Sequence, residues 1–327
     1  MSAQTGRRVG THVVGLGIAL VLLAGCGSVV AESAGRNLIE PSTGSESQVR
    51  QPTNGTVAPS SSTPGQAGLV PRTPHVPPVA FKWSRVAATS ALGVATVDRG
   101  SVSLLWMDPT RLRFRYVPGT TIPENGPSRA TDSTPDTWLA GIVAAFNGGF
   151  KLSNHLGGYY YLGKMIVPLR PGYATMTIHA DGSLAVGVWG RDLVIGRDVV
   201  VVRQELPPLV ERGASRASRN DGPDKWGSAN GGLPTANRSA LGELADGSLI
   251  FEYGASVTAE TMASYLVRAG AVTAMVMDMN VSWPTGFVYD HVGARILGSK
   301  INSHIVRPPS TYFQRFKKDF IAVQAIK

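Results

Sequence analysis

The sequence predicts an α+β fold, with a mixed or antiparallel sheet and packed helices, forming a single globular domain after a disordered tether. Three observations carry this expectation. Every Phe, Trp and Tyr stands at or after Phe81, so the material for a core begins there. Beyond that point, short alternating apolar segments are punctuated by Gly and Asp-Gly, the pattern of strands joined by tight turns. In the C-terminal third a capped helical pattern runs into an almost wholly apolar segment, so helix and sheet read as one packed unit. With 43% hydrophobic and 16% charged residues in 327, the chain can build one large or two modest domains, and a wholly disordered protein is excluded.

The N-terminus reads as an export signal over residues 1–25. Arg7 and Arg8 precede the apolar run Val13–Ala24, which closes on Leu23-Ala24-Gly25-Cys26, an order that resembles a bacterial lipobox. Cys26 is the only cysteine, which makes it the expected lipidation site and leaves no thiol for a disulfide, a cysteine zinc site or a cysteine nucleophile. Residues 26–80 form the tether. From Pro41 to Pro78 there are eight Pro, four Gly, six Ser and five Thr in 38 residues, a composition that cannot bury a core. Residues 81–327 form the domain. Within it, Thr175–His179, Ala180-Asp181-Gly182 and Leu184–Val188 read as one hairpin, and Ala240–Leu244, Asp246-Gly247 and Leu249–Tyr253 as another. Thr258 reads as an N-cap, Glu260 lies in the first turn, Met262, Leu266 and Ala269 share a face, and Gly270 stops the helix. Ala271–Met277 follows as a buried strand ending at Asp278.

The formal net charge is +9, or +7 without residues 1–25, whose only formal charges are Arg7 and Arg8. Outside the membrane such a surface suits anionic lipid headgroups, phosphate-containing wall polymers or acidic glycans, and nucleic acid is not an expected partner. No run reaches the roughly 18 to 20 apolar residues of a bilayer-spanning helix, which excludes a polytopic membrane protein. There is no H-E-x-x-H arrangement, G-x-S-x-G elbow, P-loop or dinucleotide fingerprint in strand–turn–helix context.

Four segments carry candidate chemistry. Asn147-Gly148-Gly149, after an apolar strand, is either a tight turn or a place where backbone approaches a ligand, with Asn147 offering a donor and an acceptor. In Asn237-Arg238-Ser239-Ala240-Leu241-Gly242, Arg238 is a planar cation suited to phosphate or carboxylate, or else a member of a surface ion pair. Asp278 is either a satisfied structural acceptor or an acid, base or nucleophile, with Asn280, Ser282 and Trp283 adding polar and stacking groups beside it. Gly157-Gly158-Tyr159-Tyr160-Tyr161-Leu162-Gly163-Lys164 offers aromatic faces for sugar rings, or an ordinary Tyr-rich strand.

Taken in order, Asn147-Gly148-Gly149-Phe150, Arg203-Gln204-Glu205-Leu206 with Leu209-Val210, Asn237-Arg238-Ser239-Ala240-Leu241-Gly242 and the strand ending in Asp278 resemble the phosphodiester glycosidase domain family. The resemblance spans residues 81–327, and the closing Tyr312-Phe313 and Lys318-Asp319-Phe320-Ile321-Ala322-Val323 resemble the end of its actinobacterial members. One stretch departs from the family. Asp278-Met279-Asn280-Val281-Ser282 stands where much of the family has a glycine-rich Asp-Gly-Gly-Gly-Ser type segment, so side chains here alter access to the backbone.

The resemblance implies an extracytoplasmic, lipid-anchored hydrolase that cleaves between a sugar's anomeric carbon and a phosphate oxygen in a cell-envelope glycan or phosphoglycan. It implies a catalytic Asp278, as nucleophile, base or stabilising carboxylate, and a catalytic Arg238 that neutralises the phosphodiester. Asn147, Gly148, Gly149, Asn280 and Ser282 are the expected substrate-binding residues, and Glu252 and Asp290 the candidates for a partner acid. No cofactor is expected and no metal ligand is assigned, with a divalent cation left open. The alternative reading is a non-catalytic cell-wall glycan-binding lipoprotein, favoured by the departure after Asp278. A third is a phosphodiesterase that breaks the phosphorus–oxygen bond.

Overall fold

The computed structural model describes residues 74–121, 132–222, 225–227 and 233–326. All of them belong to the compact unit Gln66–Lys327. The export signal, Cys26 and residues 26–73 of the expected tether lie outside the described residues. The end of that segment is tied to the domain: the His75 amide donates to Asp108 Oδ2 at 3.2 Å, and Trp83 Nε1 donates to the Pro78 carbonyl at 2.6 Å. No described helix is long and apolar enough to cross a membrane.

Among the described residues the strands form three sheets in which neighbouring strands run antiparallel. The largest has eight, in the order Ser84–Val86, Thr89–Val97, Val102–Met107, Leu249–Val257, Ala236–Leu244, Ala271–Met279, Val210–Glu211 and Ala214–Ser215. A second has five, Lys164–Val167, Tyr159–Tyr161, Val199–Gln204, Ala174–His179 and Leu184–Val188. The third also has five, Arg295–Lys300, Gly286–Val292, Ile142–Asn147, Phe320–Ala325 and Leu112–Val117.

Period-two alternation divides the large sheet between two cores. Leu249, Phe251 and Tyr253 point into a core shared by all three sheets, where Phe146 stacks on Phe251 at 4.6 Å and Met176, Ile178 and Val201 of the second sheet join them. Ile250 points the other way, into a second core closed by Met262, Ala263 and Leu266 of the helix Ala259–Arg268. That helix starts as its sequence predicts. Thr258 Oγ1 accepts from the Thr261 amide at 3.1 Å, Glu260 lies in the first turn, and Gly270 adopts a φ of +89° after its end.

Both expected hairpins are present, with Thr175 opposite Gly187 in one and Leu241 opposite Phe251 in the other. The α+β expectation is corrected, because the described fold is β-rich. Apart from the four-residue turn of helix Asp136–Leu139, Ala259–Arg268 is the one described α-helix. The physical reason is that the three sheets cover one another. Only the outer face of the largest leaves apolar surface for a helix, and one helix covers it.

Candidate active site

The segments singled out from the sequence meet where the three sheets come together. Asn147 ends the strand Ile142–Asn147, and its side chain is fully engaged: Nδ2 donates to Ser239 Oγ at 2.9 Å and to the Gly148 carbonyl at 2.8 Å, while Oδ1 accepts from the Thr285 amide at 3.0 Å. The next two residues are glycines for a steric reason. A Cβ on Gly148 would overlap the Asp319 carboxyl, and one on Gly149 would overlap that of Glu205. The backbone thus packs directly against two buried carboxyls, with the Gly149 amide donating to Asp319 Oδ2 at 3.2 Å.

Five ionisable side chains, Arg203, Glu205, Asp278, Lys318 and Asp319, fill this junction. Arg203, at the end of Val199–Gln204, lies 2.9 Å from Glu205 Oε1 through Nη1 and 3.2 Å from Asp319 Oδ2 through Nε, and it donates to the Phe150 carbonyl. Lys318 Nζ lies 2.8 Å from Asp278 Oδ2 and 3.7 Å from Asp319 Oδ1, and donates to the Gly149 carbonyl. Tyr116 completes the set, donating to Asp319 Oδ2 at 2.9 Å. Asp278 stands beside Ser239 across the strand pair, just before a register shift that lets this end of the strand turn its carboxyl to Lys318.

Burial sets the protonation of these groups. Desolvation raises the Asp278 carboxyl, against the pull of Lys318. Desolvation pushes Glu205 up to about 8, with Arg203 opposing it. For Arg203 the same burial works against the cation, but Glu205 and Asp319 outweigh it and hold the charge firmly. The Tyr116 hydroxyl is raised well above its usual range by burial and by Asp319, so it remains a donor.

Asp278 and Lys318 line a cavity of about 520 Å³ together with Phe150, Lys151, Asn154, Leu156, Gly227, Met279, Asn280 and Trp283. Of the residues expected to bind substrate, Asn280 lines this cavity. Asn147, Gly148 and Gly149 lie behind it, engaged with Ser239, Thr285, Asp319 and Glu205. Ser282 is bound locally, its amide donating to Asn280 Oδ1 at 3.1 Å and its carbonyl accepting from Arg307 Nε at 2.8 Å.

Arg238 is not brought into this cavity. It is 3% exposed, donates to the carbonyls of Val257 and Trp226 at 3.2 and 2.8 Å, and lines a separate cavity of about 320 Å³ with Trp226, Thr258 and Ala259. Its Nη1 lies 3.3 Å from the sulfur of Met279, which stands between it and the Asp278 cavity. Burial lowers Arg238 to about 10. The two partner-acid candidates also lie elsewhere: Asp290 Oδ1 accepts from the Ala88 amide at 2.7 Å, and Glu252 is buried beside the second core.

Sequence reasoning quoted Arg203, Glu205, Lys318 and Asp319 only as parts of the family resemblance and assigned them no role. The available signal was their position, since each is a charged residue at the edge of an apolar strand that burial would force to find a partner.

No family model matches the chain, and no curated protein matches it. Among solved structures it is similar to the catalytic domain of zebrafish N-acetylglucosamine-1-phosphodiester alpha-N-acetylglucosaminidase, auto-inhibited by its pro-peptide. The two share 15% identity and a TM-score of 0.41, over 76% of this chain and 88% of that one. A hypothetical protein from Synechocystis is similar at 13% identity and a TM-score of 0.37, over 75% of this chain and 61% of that one. A protein of Burkholderia pseudomallei K96243, provisionally described as exported, is similar at 11% identity and a TM-score of 0.36, over 71% and 74%. Likenesses of this size are distant resemblances of fold, and the functional reading rests on the residues.

Proposed function

We propose that the chain is an extracytoplasmic hydrolase that cleaves a sugar-1-phosphodiester, between the anomeric carbon and the phosphate oxygen, in a cell-envelope glycan or phosphoglycan. One observation carries this reading. The segments that resemble the phosphodiester glycosidase domain family, far apart in sequence, pack around a buried charged junction from which Asp278, paired with Lys318, faces a cavity.

In this reading Asp278 is the reacting carboxylate, stabilising the oxocarbenium-like centre as nucleophile or as base toward water. The glycosidic bond breaks with its electron pair on the departing phosphate, a group stable enough to leave without a proton. That relieves the need for a strong partner acid. Water supplies the oxygen of the freed sugar and gives up its proton to the carboxylate. Lys318 favours the ionised form of Asp278 against desolvation, and the exposed Lys151 at the cavity rim meets the phosphate charge. Trp283 gives the sugar an aromatic wall, and Asn280 a polar contact. Arg238, first expected to meet the phosphate, acts here through Met279 by holding that wall of the cavity.

The test incubates the protein with an N-acetylglucosamine-1-phosphodiester and scores free reducing sugar against sugar phosphate. Asp278→Asn should lower the release of free sugar by about a thousandfold with the fold intact by circular dichroism. Sugar phosphate as product moves the reaction to the phosphorus–oxygen bond and overturns the reading. Binding without product replaces it with a glycan-binding lipoprotein. The same proposal anchors the chain through a lipid on Cys26 to the outer face of the cytoplasmic membrane, so Cys26→Ser should move it from the detergent phase to the aqueous phase.

A further inference from the structure

We propose that the groove along the strand Leu112–Val117 binds an anionic saccharide, at a place separate from the Asp278 cavity. Among the described residues that strand is the outermost of its sheet, and its far edge meets the turn Ala180-Asp181-Gly182, the Phe114 amide donating to the Gly182 carbonyl at 2.7 Å. Beside it lies a groove of about 450 Å³ whose rim carries Arg113, Arg115, Trp138 and Tyr161. The guanidinium of Arg115 sits 5.8 Å from the centre of the Trp138 ring. Neither Arg113 nor Arg115 makes an ion pair among the described residues.

Charge alone would be ordinary protection of a sheet edge. What exceeds that need is the pairing of two guanidiniums, neither in an ion pair among the described residues, with two half-exposed aromatic rings around an apolar base formed by Phe114, Ile178 and Val201. Aromatic and apolar surface suits the C–H face of a pyranose, and a guanidinium suits the phosphate or carboxylate the sugar carries. The turn beyond Tyr161 adds to this surface. Leu162 holds a left-handed φ of +46° while 65% exposed at the groove, an apolar side chain kept in water on strained backbone.

A nucleic acid fits less well. Single-stranded nucleic acid is held by a long basic groove that tracks successive phosphates, whereas the basic side chains here are Arg113 and Arg115, with His179 paired to Asp198 at 2.8 Å. The groove also touches the charged junction, because Tyr116 lines it and donates to Asp319.

Affinity electrophoresis of the full chain tests the proposal, in gels containing a phosphomannan, a polygalacturonate or neutral mannan. Retardation by one of the two anionic polymers over neutral mannan is expected, and which one shows whether phosphate or carboxylate is recognised. The double variant Arg113→Gln/Arg115→Gln should weaken that retardation about tenfold, and Trp138→Ala by a similar factor. The double variant alters half-exposed and exposed side chains, so it decides the matter even if Trp138→Ala fails to fold. Equal retardation by neutral mannan, retardation unaffected by the double variant, or equal retardation by single-stranded DNA would each overturn the proposal.

Discussion

Asp278 and Glu252 stand on strands of one sheet, on either side of Ala236–Leu244, and both carboxyls are buried and raised by desolvation. Their surroundings differ in every other respect. Around Asp278 the chain brings Lys318 to 2.8 Å, a backbone amide to 2.8 Å and a cavity. Around Glu252 neither oxygen has a hydrogen-bond partner among the described residues, and the neighbours on its face are Ile250, Leu104 and Ala240. Burial raises a carboxyl in either place, but only a cation and an opening to a ligand convert the raised carboxyl into a usable one.

The largest expected effect comes from removing what distinguishes the two. Lys318→Met leaves Asp278 and Asp319 buried with less compensation, which should cost about 3–5 kcal/mol of stability by urea denaturation at neutral pH. Turnover should fall as well, since Asp278 would then resemble Glu252 and hold its proton. A loss below about 1 kcal/mol would show that the ammonium does not support the junction.

Glu252 should respond in the opposite sense. Replacing it with Leu removes a polar group without partners from the helix-covered core, and should stabilise the protein by about 1–3 kcal/mol at neutral pH. Because its folded-state titration lies above the ordinary Glu range, the native protein holds a proton that the unfolded chain has released. Glu252 therefore makes stability fall as pH rises above that range, and urea midpoints at pH 6 and 9 should converge in Glu252→Leu. Destabilisation by the substitution would mean that the carboxyl has a partner.

The same contrast explains what was legible in the sequence. The helix after Thr258, both hairpins and the strand through Asp278 could be read because capping, turn residues and alternation are local signals. The sheet-on-sheet architecture could not, since nothing local says that three sheets will cover each other in place of helices. At the site, Asn147-Gly148-Gly149 stood out, but its purpose was hidden. Its glycines admit Asp319 and Glu205, residues that only the tertiary fold brings near. The family resemblance made Arg238 and Asp278 partners in catalysis, yet Arg238 lines a separate cavity, with Met279 between them.

Glu205 sharpens the comparison, because it combines a cation like that of Asp278 with the proton retention of Glu252. Arg203 lies 2.9 Å away, but desolvation prevails and pushes the carboxyl up to about 8. Between the ordinary value of 4.5 and about 8 the native state binds a proton that the unfolded chain does not, so stability falls as pH rises through that window. Gln copies the neutral form and cannot lose that proton. At pH 5.5 Glu205→Gln should lie within about 1 kcal/mol of the parent, and the difference should move in the variant's favour by pH 8.5. Urea denaturation at the two pH values reads this directly. A pH slope identical to the parent's would place the retained proton on another member of the junction, and the contrast between paired and solitary carboxyls would then rest on Asp278 and Glu252 alone.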